Sequence, residues 1–345
     1  MLKLGIIGTN WITDQFIKAC LETNMWQLTT IYSRTLSQAK KFGENYPQVT
    51  EYFDNLTDFF TQGSFDAVYI ASPNSLHFEQ AKRAILAKKH VIVEKPAFVN
   101  PFEMKEITAL LKKYPEVYYF EAARHIHDKN FIAVKQAVKQ LKKIQGANLN
   151  FAQYSSRYDA LLAGQEPNIF SPHFAGGCLQ DLGVYLIYCA LEWFGMPTSC
   201  QYYPTMLSTG VDGQGLALLR YPQFDVKLQM GKMVNSKMPG EIYGLKEVIH
   251  LDHSANITKA YLDDGQGKKT VLSTPPAKNP MFDEALFFAE MLSEKTKETK
   301  QKQQQLLQLS VDVNAVLYQL RQSAGIVFDA DKKYLTKEEH NESKI

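Results

Sequence analysis

His90-Val91-Ile92-Val93-Glu94-Lys95-Pro96 is a β-branched run that ends in an acid, a base and a proline. Three adjacent β-branched residues are the pattern of a strand buried on both faces, the kind found in parallel sheets. An ionised pair at the end of such a strand needs partners, because charge taken out of water is costly unless compensated. In open parallel sheets, ligands bind beyond the carboxyl ends of the strands, where Glu94 and Lys95 fall. A plain polar turn closed by Pro96 would account for the same residues. The flanking segments decide between the two.

Leu2 to Ile7 reads as a buried strand, followed by the turn Gly8-Thr9-Asn10-Trp11-Ile12-Thr13 and a helix with Phe16, Ile17 and Cys20 at helical spacing. Strand, glycine turn and helix form the context that a dinucleotide-phosphate loop requires. Against G-x-G-x-x-G/A, Gly8 holds the first position, while Asn10 and Thr13 replace the second and third. Asn tolerates left-handed backbone angles, so the turn survives Asn10. The Asn10 side chain is expected to crowd a pyrophosphate, and Thr13 to loosen helix–strand contact. The next strand, Leu28 to Tyr32, ends at Ser33-Arg34-Thr35. In a dinucleotide fold an acid there bonds the ribose 2′-hydroxyl of NAD, and an Arg accommodates the 2′-phosphate of NADP. With Ser33 and Arg34 in the slot, NADP(H) is favoured and NAD(H) is the alternative.

Helix near Ser37 to Tyr46, strand Val49 to Tyr52 and helix Leu56 to Gln62 continue the alternation. Strand Asp66 to Ile70 leads into Ala71-Ser72-Pro73-Asn74-Ser75-Leu76-His77, with Ser75 as the expected N-cap of a helix through Leu86. Small residues before a proline turn allow close approach of a flat ligand. The opening strand, a helix over Pro101 to Leu111 and strand Val117 to Ala122 follow. Six strands alternating with helices predict a doubly wound parallel sheet over residues 1–122.

The 345 residues allow two domains, and 45% hydrophobic content allows ordinary cores. A net charge of +2 carries no electrostatic footprint for nucleic acid. Cys20, Cys178, Cys189 and Cys200 lack CxxC spacing and are expected to be reduced, buried thiols. No signal-peptide apolar stretch follows Met1, and no apolar run is read as approaching the ~20 residues a bilayer span needs. The expectation is a soluble, cytoplasmic protein with no membrane partner. His125 and His127 lack further ligands at metal spacing, so they are expected on the surface and no metal is expected.

In residues 123–345, Asp128 to Lys143 reads as a helix with Ile132, Val134, Ala137 and Leu141 apolar, and Ile144 to Tyr154 as a strand. The irregular segment to Gly177 offers Asn168 and Phe170, with Arg157 and Tyr158 before them, as candidates for lining a small-molecule substrate site. Asp181 opens a helix to Phe194, and Asp181 and Tyr185, at i and i+4, are expected on one face. Cys200–Met206, Gly215–Tyr221, Val226–Met233, Glu241–Tyr243, Val248–Leu251, Ile257–Leu262 and Lys269–Leu272 read as strands of an antiparallel meander. Helices over Met281 to Met291 and Gln301 to Ser323 close the chain, before a polar tail after about residue 332.

Taken in order, Gly5-Ile6-Ile7-Gly8-Thr9, Ser33-Arg34, Ile70-Ala71-Ser72-Pro73-Asn74 with His77, Glu94-Lys95-Pro96, Glu121-Ala122, and Gly176-Gly177 before Asp181-Leu182-Gly183-Val184-Tyr185 resemble the glucose–fructose oxidoreductase/inositol dehydrogenase (Gfo/Idh/MocA) family. The subgroup with dihydrodiol dehydrogenases is the nearer likeness. The resemblance implies an NAD(P)-dependent oxidoreductase acting on a hydroxyl or carbonyl substrate such as a sugar, polyol or diol. It implies a Rossmann domain and a C-terminal α/β domain whose large, mainly antiparallel sheet serves a homodimer or higher homo-oligomer. It assigns cofactor contacts to Gly8, Thr9, Asn10, Trp11 and Ile12, to Ser33 and Arg34, to Ala71, Ser72, Pro73, Asn74 and His77, and to Glu94, Lys95 and Glu121. Lys95, in a Lys-Pro bond that is often cis in relatives, is implied to stand beside the nicotinamide and the reacting oxygen. Tyr185 is implied as its proton-transfer partner, with Asp181 holding Lys95 or a substrate hydroxyl. Asn10 and Thr13 depart from the family pattern and bear on cofactor affinity. A non-catalytic, NAD(P)-binding sensor or regulator on the same fold is the alternative.

Overall fold

The structure, a computed structural model, describes residues 1–294 and 296–334, so most of the polar tail and Lys295 lie outside it. The chain forms two compact units: Met1–Phe98 with Phe102–Arg124 and Ala277–Ser310, and Val99–Pro101 with His125–Pro276 and the chain from Val311. The first unit therefore takes back a C-terminal segment that a single division after residue 122 assigns elsewhere.

In the first unit, β1 (Leu2–Ile7), β2 (Trp26–Tyr32), β3 (Glu51–Phe53), β4 (Ala67–Ile70), β5 (His90–Glu94) and β6 (Tyr119–Ala122) form one sheet in the order β3-β2-β1-β4-β5-β6. Every pairing is parallel. Helices α1 (Trp11–Glu22), α2 (Leu36–Gly43), α3 (Leu56–Gln62), α4 (His77–Leu86) and α5 (Pro101–Lys113) link the strands. This is the doubly wound order, and it reverses between β1 and β4, so the loops after these strands flank the ligand crevice of such folds. All of β4 and the last four residues of β5 are buried, as their unbroken apolar pattern requires.

The second unit contains α6 (Lys129–Gln140), β7 (Gly146–Ala152), α7 (Tyr158–Leu162), α8 (Val184–Phe194), β8 (Ser199–Met206), β9 (Asp212–Arg220), β10 (Asp225–Gly231), β11 (Gly240–Tyr243), β12 (Val248–Leu251), β13 (Ala260–Asp263) and β14 (Lys269–Val271). Its sheet runs β14-β13-β12-β11-β7-β10-β9-β8. The expected meander is interrupted: β7 enters between β10 and β11 and pairs parallel with β10. A parallel neighbour needs a crossover, and the helical stretch ending in α8 lies within the long connection out of β7.

Two helices follow the second sheet, α9 (Phe282–Ser293) and α10 (Lys297–Ser323). Ala285, Phe288, Ala289 and Leu292 of α9 repeat at helical spacing and are buried in the core of the first unit. The Phe288 ring stacks on Phe120 at 4.7 Å, and the Trp26 indole donates to the Ala285 carbonyl at 2.9 Å. Each large apolar side chain buried there contributes roughly 1.5–3 kcal/mol.

Several local expectations change. His125 is buried, its ring against Tyr185, Tyr188 and Phe131. Ile132, expected on the apolar face of α6, is exposed, and Cys200 is half-buried while the other three thiols are buried. One helical stretch, Pro172–Phe194, is long and apolar enough by length and composition to cross a bilayer, contrary to the sequence reading; 89% of its most apolar window is buried inside the protein. Among the described residues, no group of three His, Cys, Asp or Glu is placed to hold a metal ion.

Candidate active site

The turn after β1 depends on Gly8, whose φ is +105° and whose added Cβ would meet the Ala71 carbonyl oxygen at 2.7 Å. Asn10 does not use left-handed angles: its φ is −106° and it caps α1. Its Oδ1 accepts from the backbone N–H of Ile12 at 3.0 Å and of Thr13 at 3.1 Å, while its Nδ2 donates to the Ala71 carbonyl at 2.9 Å. The side chain is thus turned inward, tying the first loop to the loop after β4. Thr13 is fully buried, and its hydroxyl donates to Asn10 Oδ1 at 3.3 Å. Beside them Trp11 leaves 73% of its surface exposed, unusual for so large an apolar ring.

At the end of β2, Ser33 is buried, with its N–H on the Phe53 carbonyl at 3.1 Å, and Arg34 is exposed. Thr35 caps α2 through the Gln38 N–H at 3.3 Å, and the Gln38 amide reaches back to the Thr9 hydroxyl at 3.2 Å.

After β4, a single 3₁₀ turn over Asn74–Leu76 precedes α4, which begins at His77 with no side-chain cap. Ser75 therefore lies inside the turn and not at a helix N-cap. His77 is fully buried, with Nε2 2.8 Å from the Ser72 carbonyl and Nδ1 3.2 Å from the Pro96 carbonyl. Burial pushes its pKa down, so the neutral ring donates to one carbonyl at a time. His77 thus lies between the Ser72 loop and the loop carrying Lys95, with its N–H available to either carbonyl.

The backbone around Lys95 is held on both sides. Glu94 is buried and accepts the Tyr69 hydroxyl at 2.5 Å, and Tyr69 is itself stacked on Phe16 at 3.9 Å. Burial raises the Glu94 pKa, while the charge of Lys95 and the Tyr69 bond pull it back. The Lys95–Pro96 bond is cis. Beyond it, Glu121 accepts the Ala97 N–H at 3.1 Å and the Ser310 hydroxyl. Within residues 91–100 Lys95 alone escapes full burial.

In the second unit, Gly177 has φ +114°, and a Cβ there would run into the Asp212 carboxylate. That carboxylate accepts the Leu179 N–H at 2.7 Å and the Tyr202 hydroxyl at 2.6 Å, so an acid from β9 caps the helix that Gly177 introduces. The helix opens as a π-helical turn, Leu179–Gly183, before α8. The expected i, i+4 alignment of Asp181 and Tyr185 on one uniform helix is therefore displaced by the wider turn. Gly183 permits it, since a Cβ there would lie 2.6 Å from Met230 Sδ. Wide turns of this kind recur at functional sites.

Asp181 accepts from Lys232, which follows β10 directly and is almost fully buried. The Lys232 ammonium lies 5.8 Å from the centre of the Phe170 ring. Tyr185 sits at the margin of burial, with its ring 4.8 Å from His125 and 5.5 Å from Phe151. Of the four substrate candidates, Arg157 and Asn168 line a cavity of about 470 Å³ with Gln165 and Glu166. Tyr158 and Phe170 are buried and pack edge-on against each other. Sequence reasoning misses Lys232, because Asp225–Gly231 alternates apolar and polar residues and carries no motif that marks the cation after it.

A parallel sheet in the doubly wound order, with glycine and proline loops at its carboxyl edge, is the arrangement of dinucleotide-binding folds. Residues 2–122 match the family described as an oxidoreductase family with an NAD-binding Rossmann fold. The chain is 34% identical over 331 residues to the uncharacterized oxidoreductase YgjR of Escherichia coli (strain K12), covering 96% of this chain and 99% of the relative. It is also 34% identical over 332 residues to the scyllo-inositol 2-dehydrogenase (NADP(+)) IolU of Bacillus subtilis (strain 168), covering 96% and 100%. The 3-ketoreductase KijD10 of Actinomadura kijaniata, solved with NADP and TDP-benzene, shares the fold with a TM-score of 0.79 at 20% identity, over 93% of this chain and 97% of that one. The chain belongs to the Gfo/Idh/MocA family and is an NAD(P)-dependent oxidoreductase of the dehydrogenase/reductase type.

Proposed function

We propose that this enzyme moves hydride between NADP(H) and a carbinol or carbonyl carbon of a polyol, sugar or diol. The observation that carries the cofactor preference is Arg34, exposed after β2 in a loop with no acid from Ser33 to Gln38. The relative named as an NADP(+)-dependent scyllo-inositol 2-dehydrogenase, and a mouse relative named trans-1,2-dihydrobenzene-1,2-diol dehydrogenase at 25% identity, support the substrate class.

The residues fit a dinucleotide. Gly8 keeps open a space that no side chain fits, Trp11 offers an uncovered ring, and Arg34 offers a guanidinium for a phosphate. When bound, the nicotinamide supplies or takes up the hydride. The protein's task is then to orient the substrate and move one proton. Lys95 and Tyr185 are the proposed proton-transfer partners. Free Lys and Tyr both titrate near ~10, so each depends on neighbouring charge to work at neutral pH. Asp181, held by Lys232, accepts a substrate hydroxyl in this reading. Arg157 and Asn168 are the proposed substrate contacts of the 157–169 loop.

Arg34→Ala tests the cofactor assignment. KM for NADPH is expected to rise about tenfold or more, the cost of a lost charge-assisted bond, with KM for NADH nearly unchanged. Equal rises for both would remove Arg34 from the 2′-phosphate. Lys232→Met is expected to lower kcat/KM by about 10²-fold by releasing Asp181, with NADPH affinity retained and Lys232→Arg partly restoring the rate. Unchanged kinetics in Lys232→Met would confine the ion pair to packing.

A sensor reading has one observation in its favour: the Asn10 carboxamide occupies two amides of the α1 N-terminus, the group of donors that a phosphate uses. In either reading we place the protein in the cytoplasm, without nucleic-acid or membrane partners. A homodimer through the open face of the second sheet completes the proposal. There Tyr203, Leu216 and Gln229 lie in register on β8, β9 and β10, with Tyr203 60% and Leu216 43% exposed.

A further inference from the structure

His125 is a buried imidazole, 4% exposed, that the proton transfer set out above does not use. It lies in a 3₁₀ turn, Arg124–His127, and its ring meets three others. Tyr185 and Tyr188 stand at i and i+3 on α8 and so share a face. The imidazole sits against both, at 4.8 Å and 5.8 Å between ring centres, and Phe131 of α6 meets it edge-on at 5.5 Å. Its Nε2 lies 3.2 Å from the Tyr185 carbonyl oxygen. A carbonyl only accepts, so Nε2 carries the hydrogen, and the bond fixes the orientation of the ring as well as its place. Phenylalanine would serve packing alone. An imidazole buried here bears a desolvation cost that its hydrogen bond offsets. One side chain thus grips Tyr185 twice, at its ring and at its backbone, while Phe151 of β7 meets the same tyrosine ring at 5.5 Å.

We propose that His125 is a positioning residue for Tyr185. By donating Nε2–H to the Tyr185 carbonyl and packing its ring against the phenol, it sets the direction in which the Tyr185 hydroxyl meets the substrate oxygen. This rests on the reading of Tyr185 as the proton-transfer partner of Lys95. A proton passes efficiently only between groups held at hydrogen-bond distance, so a hydroxyl allowed to swing loses rate without losing its chemistry.

The test is a double-mutant cycle in the full-length enzyme, with kcat read on NADP⁺ and scyllo-inositol or, failing that, on the fastest polyol or trans-diol. His125→Phe keeps a ring and removes the donor. Its kcat is expected to fall about tenfold, with KM for NADP⁺ nearly unchanged. His125→Gln, whose amide can reach the same carbonyl, is expected to recover part of the rate. In a Tyr185→Phe background His125→Phe is expected to cost nothing further, because the group it positions is already gone. Losses that multiply, or a Gln variant no faster than the Phe variant, would overturn the positioning role and leave Tyr185 in the reaction. Full kcat in Tyr185→Phe alone, or no turnover of any compound, would defeat the Tyr185 reading and this proposal with it. Nitrogen-15 NMR of the wild type with labelled histidine gives a readout independent of turnover and of how the variants fold. His125 should carry a hydrogen on Nε2, and a bare Nε2 overturns the proposal.

Discussion

Lys95→Met is expected to lower kcat by roughly 10²–10⁴-fold, the range for removal of a proton-transfer group, while NADPH affinity changes far less. The substitution keeps the aliphatic stem and deletes only the ammonium. Its effect is expected to be clean because the backbone on either side is held by other residues. Tyr69 fixes Glu94, His77 bonds the Pro96 carbonyl, and Glu121 bonds the Ala97 N–H. A side chain so supported is pre-oriented, and Lys95 is the residue of its segment left partly accessible. Lys95→Arg separates two roles. Arginine restores the positive charge but does not give up its proton, so a proton-transfer lysine is not rescued by it. Full recovery in Lys95→Arg would reduce Lys95 to an electrostatic contact, and an unchanged kcat in Lys95→Met would remove it from the reaction.

Asp331→Ala is expected to be the most destabilising single change, at about 3–5 kcal/mol, read as a fall in Tm of about 10 °C. Asp331 and Arg321 are a buried ion pair in the second unit, with Arg321 Nη1 2.7 Å and Nη2 3.3 Å from the two carboxylate oxygens. The carboxylate also accepts the Asn100 amide at 3.0 Å and the Phe328 N–H at 2.9 Å. Arg321 continues to the carbonyls of Val99 at 2.8 Å and Ile326 at 3.1 Å. Removing the acid leaves a guanidinium in the interior without its counter-charge, which costs more than the pair contributes. Exchanging both partners for apolar residues of similar volume, as in Arg321→Met with Asp331→Leu, is expected to recover much of the loss. If Asp331→Ala unfolds at the wild-type temperature, the pair is not the anchor of the 99–101 segment that its bonds describe.

The first sheet could be read from local pattern because buried parallel strands write themselves as short β-branched runs, and Val91-Ile92-Val93 is one. Glycine and proline loops at their carboxyl ends marked one edge of that sheet. What local pattern does not contain is pairing at a distance. Nothing in Gly146–Ala152 says that it will lie parallel to a strand 79 residues on, so the second sheet reads as a meander until its order is seen. The π-helical turn at Asp181 depends on Asp212 and Met230, both remote in sequence. Residue type speaks to the backbone tolerance of Asn10, whereas its side chain sets its conformation by bonding two amides and the Ala71 carbonyl. Lys232 carries no motif, and only its burial singles it out.

The most direct test is an initial-rate survey of the full-length enzyme, measuring NADP⁺ reduction with scyllo-inositol, other polyols, sugars and trans-diols, and NADPH oxidation with the matching ketones. Turnover of at least one member of the set, with higher kcat/KM for NADP(H) than for NAD(H), is the expected result. Tight NADPH binding without turnover across the whole set would contradict it and leave the cofactor-bound sensor as the reading of this chain.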